Sequence, residues 1–261
     1  QNGRSKIFLD KNNAKLLTKI LSKIVSFFIG DERMPLLIID SNPMFDRSQF
    51  DAKIAAYNGF SIFAKNVTYI LNEKKEIDYA VFKNFLEKYS GKKFLIFGFT
   101  SNVYEQLFLN LREKNFSKKD FAGSVLIHGG GWKKMENISV NNQKFRSNLK
   151  NKFQFKNILN YYGLIEQTGS IFFECEKCNS FVTSIYSDIL IRDENWKIIE
   201  DGKKGYVQLF SLLPRSYPGH SILTEDIGQI INNDCACKKF GKRFLIHGRK
   251  KTSELRGCSD V

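Results

Sequence analysis

Ser124-Val125-Leu126-Ile127-His128-Gly129-Gly130-Gly131-Trp132-Lys133 is the stretch that decides the fold class. A short apolar run ends on three consecutive glycines. Such a run, bounded by glycine, reads as a strand buried on both faces, the kind found in helix-covered α/β sheets. Glycine carries no Cβ, so its backbone can approach a flat or phosphorylated ligand closely. In open α/β sheets ligands bind beyond the carboxyl ends of the strands, where this loop falls. The same residues also suit a tight strand-to-helix turn that holds no ligand. A Walker-type phosphate loop is excluded, because the spacing to Lys-Ser/Thr is absent.

Working outward, short apolar runs alternate with amphipathic stretches. Leu36–Ile39 reads as a buried strand ending at the turn signal Asp40-Ser41-Asn42-Pro43. Phe50–Phe63 has helical spacing, and Val67–Leu71 reads as a strand. A helix over Tyr79–Tyr89 follows Asp78, an N-cap residue type. Lys93–Phe97 is another strand, with Thr100 or Ser101 capping a helix through Leu111. After Glu174 the texture turns β-rich. Phe181–Ile191, Trp196–Ile199 and Tyr206–Leu213 read as antiparallel hairpins joined by Asp/Gly turns. The expected organisation is an α/β core over residues 1–174, with mixed or parallel sheets and helices. A β-rich distal lobe follows over 175–261.

The formal net charge of +14 attracts phosphates, acidic proteins, nucleic acids or anionic membranes alike. The lysines are scattered as pairs such as Lys74-Lys75 and Lys118-Lys119, which also suits an ordinary solvated surface. Leu16–Ile29 is the most membrane-like run, but Lys19 and Lys23 interrupt it. Its apolar residues (Leu17, Ile20, Leu21, Ile24, Val25, Phe28) fall at helical spacing, so a surface helix is expected rather than a span. Five cysteines without a secretory signal point to a reducing, cytoplasmic setting, where thiols bind metal or do chemistry more often than they form bridges.

Four groups of residues carry candidate chemistry. Tyr162-Gly163-Leu164-Ile165-Glu166 places a ring and a carboxylate within five residues; a ring can stack on a purine, and a carboxylate can hold Mg²⁺ against phosphates. A Tyr-Gly turn with a solvated Glu is the plainer reading. Thr224-Glu225-Asp226-Ile227-Gly228 ends a strand-like stretch, and a carboxylate there suits two ribose hydroxyls or an ordinary turn. Cys175-Glu176-Lys177-Cys178 and Cys235-Ala236-Cys237 are two short cysteine pairs, the pattern of a four-thiolate zinc site; free buried thiols and a redox pair remain alternatives. Cys258, in Arg256-Gly257-Cys258, has basic neighbours that favour a thiolate nucleophile, although a small buried residue would look the same. The histidines His128, His220 and His247 lack sequence partners and read as structural.

Taken in order, His128-Gly129-Gly130-Gly131-Trp132-Lys133, Tyr161–Gln167, Ser216–Gly228 and Gly248–Asp260 resemble the nucleotide half of an adenylate-forming acyl ligase. The resemblance is closest to the acyl-protein synthetases first named for bacterial bioluminescence (LuxE-type), with phenylacetate–CoA ligases as cousins. It implies an adenylate-forming ligase core that uses ATP, yields an acyl-AMP and needs Mg²⁺. It places Gly129, Gly130, Gly131, Trp132 and Lys133 near the nucleotide or acyl group. It packs Tyr162, beside Gly163, on adenine, makes Glu166 the Mg²⁺ ligand, sets Asp226 on the ribose and Arg249 on ribose or phosphate, and makes Lys250 or its neighbours a hinge. Cys258 matches an acyl-accepting cysteine; coenzyme A-dependent cousins carry Val there. Some phenylacetate-type ligases have a Cys/His pair and a Cys-x-Cys pair; here Phe181 occupies the His position, and Cys178 replaces it beside Cys175, Cys235 and Cys237 in holding structural Zn²⁺.

The implied partners are a fatty or other carboxylic acid and an acceptor thiol, either Cys258, an acyl carrier, coenzyme A or a reductase subunit. Phe97-Gly98-Phe99-Thr100 is a candidate wall for the acid. No nucleic-acid partner and no transmembrane segment are expected. The family's Ser/Thr/Gly-rich phosphate loop and C-terminal lid are expected to lie outside this chain, which alone would adenylate poorly. Two rival readings stand beside this one: a degenerate ligase core that binds nucleotide or acyl groups, and a basic four-cysteine zinc module.

Overall fold

The computed structural model describes residues 7–43, 52–232, 235–237 and 241–250. The chain packs as two compact units. One draws on the chain up to Phe28 and from Tyr162 onward; the other comprises Ile29–Tyr161. This division falls earlier than the expected boundary after residue 174. It also groups the N-terminal helix with the β-rich part.

The Ile29–Tyr161 unit is built on parallel strands: β1 (Met34–Ser41), β2 (Ala64–Leu71), β3 (Leu95–Phe99), β4 (Val125–Gly129) and β5 (Asn157–Gly163), whose last two residues count with the other unit. Their order is β2-β1-β3-β4-β5. Every pairing is parallel, with Leu36 opposite Leu95, Leu95 opposite Val125, and Val125 opposite Asn157. All five residues of β3 and all five of β4 are buried, which is why both read as unbroken apolar runs. Helices α2 (Ala52–Ser61), α3 (Tyr79–Tyr89) and α5 (Asn142–Lys152) belong to this unit. Asp78 caps α3 as expected, its carboxylate accepting from the N–H groups of Ala80 and Val81 at 3.0 Å. A phenylalanine-rich core of Phe82, Phe85, Phe94, Phe121, Phe145 and Phe153 fills the unit.

The segment after β3 departs from expectation. Only Thr100–Asn102 (α4) is α-helical, and Val103–Asn110 winds as a π-helix. Neither Thr100 nor Ser101 is the N-cap; that position is Phe99, with no side-chain bond. The carbonyl end of the π-helix is closed by Lys152 of α5, whose Nζ donates to the carbonyls of Phe108 (2.6 Å) and Leu111 (2.5 Å).

In the other unit, α1 (Lys11–Ile29) buries Leu17, Ile20 and Val25 at helical spacing. Asn13, also buried, donates to the carbonyl of Leu213 and accepts from the Arg215 N–H. Strands β6 (Ile171–Cys175), β7 (Ser180–Val182), β8 (Ser187–Arg192), β9 (Lys204–Ser211), β10 (Ser221–Ile231) and β11 (Arg243–Arg249) pair antiparallel in the order β6-β7-β11-β10-β9-β8. Residues Trp196–Ile199 form no strand. The Asp193 carboxylate accepts the N–H groups of Asn195 and Lys197, folding the chain into a turn. Among the described residues no helix is long and apolar enough to cross a membrane.

Candidate active site

The carboxyl ends of β3 and β4 carry the glycine loop. A Cβ on Gly129 would lie 2.6 Å from the Tyr161 ring and 2.7 Å from the Tyr161 carbonyl oxygen. Gly130 has φ +79°, in the left-handed region, and a Cβ there would meet Phe99 at 3.1 Å. Packing and turn geometry therefore account for the first two glycines. Gly131 has nothing within 4 Å of its Cβ position, so neither packing nor φ accounts for it. Trp132 stands edge-on to Tyr104 at 5.0 Å and to Phe145 at 6.0 Å, half-buried against the core. Lys133 opens the 3-10 segment Lys133–Ile138.

His128 is buried beneath this loop, and its pKa is lowered to about 3 by desolvation and then by the nearby Arg146 charge. Its Nδ1 lies 3.0 Å from Thr100 Oγ1, and that hydroxyl donates to the Gly129 carbonyl at 3.1 Å. One hydroxyl hydrogen cannot serve both partners, so Nδ1–H donates to Thr100 and the neutral Nδ1 tautomer follows. His128 is a positioning residue for the loop.

The same end of the sheet holds Asp40, buried at the end of β1, which the sequence reading took for a turn residue only. Its carboxylate accepts from the Tyr57 hydroxyl, the Ser41 N–H (2.8 Å) and Asn102 Nδ2 (3.5 Å), and Lys53 Nζ lies at 3.7 Å. Asp followed by a turn carries no sequence mark of such partners, because Tyr57 and Asn102 arrive from other elements.

In the antiparallel unit, Asp226 of β10 is opposite Arg249 of β11, with Oδ1 3.5 Å from Arg249 Nε. The Tyr162 hydroxyl donates to Oδ2 at 2.6 Å. Burial, then the Asp226 charge, push the Tyr162 pKa well above 10.0, so it stays a donor. The Tyr162 ring lies among Phe172, Phe181 and Phe244, with centroids 5.9–6.3 Å away. Bulges on both sides of β10 aim Asp226: the ladder shifts register between Ile227 and Gly228 against β11, and between Leu223 and Ile227 against β9. Thr224 holds the bulge, accepting from the Asp226 N–H and donating to the Val207 carbonyl. Glu166 sits half-buried in the 3-10 turn Ile165–Gln167 after β5. That turn is pinned by buried Gln167, whose Nε2 donates to the carbonyls of Leu209 and Gly219. A lone carboxylate of this kind suits Mg²⁺, which takes one or two carboxylates and completes its shell with phosphates and water. Lys250 donates to Glu194 at 3.1 Å and to the Tyr206 hydroxyl.

The four paired cysteines come together. The sulfurs of Cys175, Cys178, Cys235 and Cys237 all lie within 4.8 Å of one another. Cys175 and Cys235 are 3.8 Å apart, too far for a disulfide. A tetrahedral four-thiolate zinc with Zn–S near 2.3 Å has S···S edges of about 3.8 Å. Donors converge on these sulfurs: the N–H groups of Lys177 and Cys178 on Cys175, the N–H of Cys237 on Cys235 at 3.4 Å, and Ser180 Oγ 3.0 Å from Cys178. A cation would take these sulfurs as thiolates; burial raises the Cys175 pKa, so loss of its proton would accompany metal binding. Cys258 lies outside the described residues. His220 is exposed, and His247 Nε2 lies 3.1 Å from Gln229 Oε1.

The family model for acyl-protein synthetase LuxE matches residues 2–261. The chain belongs to the LuxE acyl-protein synthetase family. The long-chain-fatty-acid–luciferin-component ligase of Aliivibrio fischeri is 28% identical over 190 residues, which are 72% of this chain and 50% of that protein. The chain thus spans about half the length of this curated relative. Among solved structures, an open conformation of 2-hydroxyisobutyryl-CoA ligase with 2-HIB-AMP and CoA superposes with TM-score 0.69 at 14% identity, covering 92% of this chain and 54% of that one. ATP-bound MatB from Rhodopseudomonas palustris gives TM-score 0.59 at 14% identity, covering 95% and 46%. These likenesses establish the α/β ligase-type fold for this LuxE family member.

Proposed function

We propose that this chain is the nucleotide-binding core of an ATP-dependent acyl ligase that passes a fatty or other carboxylic acid to a thiol. The observation that carries the reading is the Tyr162–Asp226–Arg249 constellation. A ring, a carboxylate and a guanidinium sit together on β5, β10 and β11, the groups that adenine, ribose and phosphate require. In the first step a carboxylate oxygen of the acid attacks the α-phosphorus of ATP. The bond to the bridging oxygen breaks, pyrophosphate leaves, and the acyl-AMP anhydride forms. In the second, a thiolate attacks the acyl carbon, the C–O bond breaks with its electron pair on AMP, and the thiol's proton has gone to solvent.

Asp226 accepts the ribose hydroxyls, which take over the Oδ1 now turned to Arg249, and Arg249 is released toward ribose or phosphate. Tyr162, held as a donor, keeps Oδ2 fixed while its ring borders adenine. The family resemblance assigns Gly131, Trp132 and Lys133 to the nucleotide or acyl group. Mg²⁺, when bound to Glu166, neutralises charge on the phosphates. The acceptor is Cys258, or the thiol of an acyl carrier, coenzyme A or a reductase subunit. The four-cysteine cluster is assigned one structural Zn²⁺, on the strength of its donor chemistry and its 3.8 Å edge.

The test is acid-dependent pyrophosphate release from ATP across a panel of carboxylic acids, run on the full-length protein beside this 261-residue chain. Release that depends on the acid and disappears in Glu166→Ala supports the reading. Release that survives that change removes Glu166 from the Mg²⁺ role. No release with any acid, but retained AMP binding, would leave a nucleotide-binding module.

A further inference from the structure

We infer that Arg243 is the charge-balancing and positioning residue of the four-cysteine metal site; the inference rests on the zinc reading above. Four thiolates around a divalent cation carry a formal charge of −2, and a site that is only partly solvated must offset it. Arg243 is placed to do so. It is the first residue of β11, the strand flanked by β7 on one side and β10 on the other. It pairs with Val182 of β7 and with Ile231 of β10. Each cysteine pair lies next to one of those neighbours. Cys175 ends β6 and Cys178 sits in the β6–β7 turn, whereas Cys235 and Cys237 lie between β10 and β11.

One guanidinium nitrogen reaches both pairs. Arg243 Nη1 lies 3.6 Å from Cys178 Sγ and 3.5 Å from Cys237 Sγ. It therefore takes one sulfur from each cysteine pair and holds the two turns in register. Cys175 and Cys235 instead take backbone N–H donors from their own turns. The four sulfurs are thus divided in kind: local amides orient two, and a single cation from a central strand links the other two. The neutral Ser180 hydroxyl assists only at Cys178. The guanidinium is always charged, and the two N–H bonds on Nη1 are the number the two sulfurs need; a lysine would have to bring its ammonium to the same point on a flexible stem.

The test measures zinc itself. The purified chain, Arg243→Gln and Arg243→Lys are loaded with Zn²⁺ under reducing conditions, and affinity is read by competition with a chromophoric chelator. The visible bands of a Co²⁺-substituted sample report tetrahedral thiolate ligation, and far-UV circular dichroism reports that each variant is folded. The expected result is one Zn²⁺ per wild-type chain, an affinity lower by about 10–100-fold in Arg243→Gln, as for other groups that orient metal ligands, and an intermediate loss in Arg243→Lys. Equal affinity in wild type and a folded Arg243→Gln would overturn the role of Arg243 and leave the zinc site standing. Wild-type chain that takes up less than about 0.2 Zn²⁺ would instead sink the metal reading beneath it. Should Arg243→Gln fail to fold, Arg243→Lys carries the test: an affinity equal to wild type contradicts the bridging fork.

Discussion

The two units handle polar groups in opposite ways. In the parallel unit the polar side chains at the strand ends are consumed internally. Thr100 and His128 are bonded to each other and to the loop carbonyl, and Asp40 is bonded to Tyr57, Ser41 and Asn102. In the antiparallel unit the long β10–β11 hairpin carries a reactive group near each end: Asp226 with Arg249, and the cysteine cluster with Arg243. The contrast follows from architecture. A strand buried on both faces must satisfy its polar groups deep within the protein, whereas a hairpin with one wetter face can hold ion pairs nearer solvent, as at Arg249, which is 40% exposed. The parallel unit supplies shape, and the antiparallel unit supplies charge.

The largest effect should break the antiparallel side of that contrast. If the proposed zinc is bound, a chelator strips a ligand that holds the folded cluster together. At 1,000 times the dissociation constant, bound metal contributes about 4 kcal/mol, so the melting temperature should fall on chelation and return with Zn²⁺. An unchanged melting curve would mean that the cysteines contribute no clamp.

Gly129→Ala probes the shape-giving unit next. Its Cβ would sit 2.7 Å from the Tyr161 carbonyl oxygen, which is backbone and cannot swing aside. A loss of about 1–3 kcal/mol in urea denaturation is expected, typical of overpacking. Gly131→Ala, with open space, should cost far less stability while altering ligand binding. Equal losses at the two positions would erase the distinction drawn between the glycines.

Asp226→Asn should do the reverse and spare stability. Arg249 is 40% exposed although Asp226 is only 13% exposed, and Asn keeps an oxygen that can accept the Tyr162 hydroxyl, so the fold should lose only about 1 kcal/mol. ATP or AMP binding should weaken by about tenfold or more, since a hydrogen bond to a charged group is worth about 1.5–3 kcal/mol. A variant that binds nucleotide as tightly as wild type removes Asp226 from the ribose.

The remaining expectation is a pH dependence. His128 has a folded pKa of about 3, below its ordinary 6.5, so its contribution is complete above pH 6.5 and is lost as pH falls from 6.5 toward 3. Stability should decline by up to about 1.4 kcal/mol per pH unit in that window, the slope of one extra proton taken up on unfolding. The slope, measured from urea midpoints, should flatten in His128→Gln. An identical slope in the variant would assign the acid sensitivity to other groups.

Much of this was legible along the chain. Continuous apolar runs mark the parallel strands because both their faces are buried, and Asp78 before Tyr79 marks a helix start through purely local bonds. Local rules misled where a side chain had a distant use. Thr100 has the chemistry of a cap, yet its hydroxyl goes to His128 and Gly129, and a π-helix follows. Trp196–Ile199, by contrast, does return antiparallel from the Asp193 turn, but through one bridge, Ile198 to Arg192, too short to count as a strand.

What the sequence by itself determined is the class of fold, the family and the identity of the candidate ligand-binding residues. Those rest on residue type and order, which do not depend on where the chain travels. Only the tertiary structure decided which residues meet. It brought Tyr162 to Asp226 across 64 positions, Cys175 to Cys235 across 60 and Arg243 to Cys178 across 65. It also assigned Gly129 and Gly130 to packing and left Gly131 open. Contacts of that span are set by strand order and register, and hydrophobic burial over a whole sheet fixes those, not the few residues that end up touching.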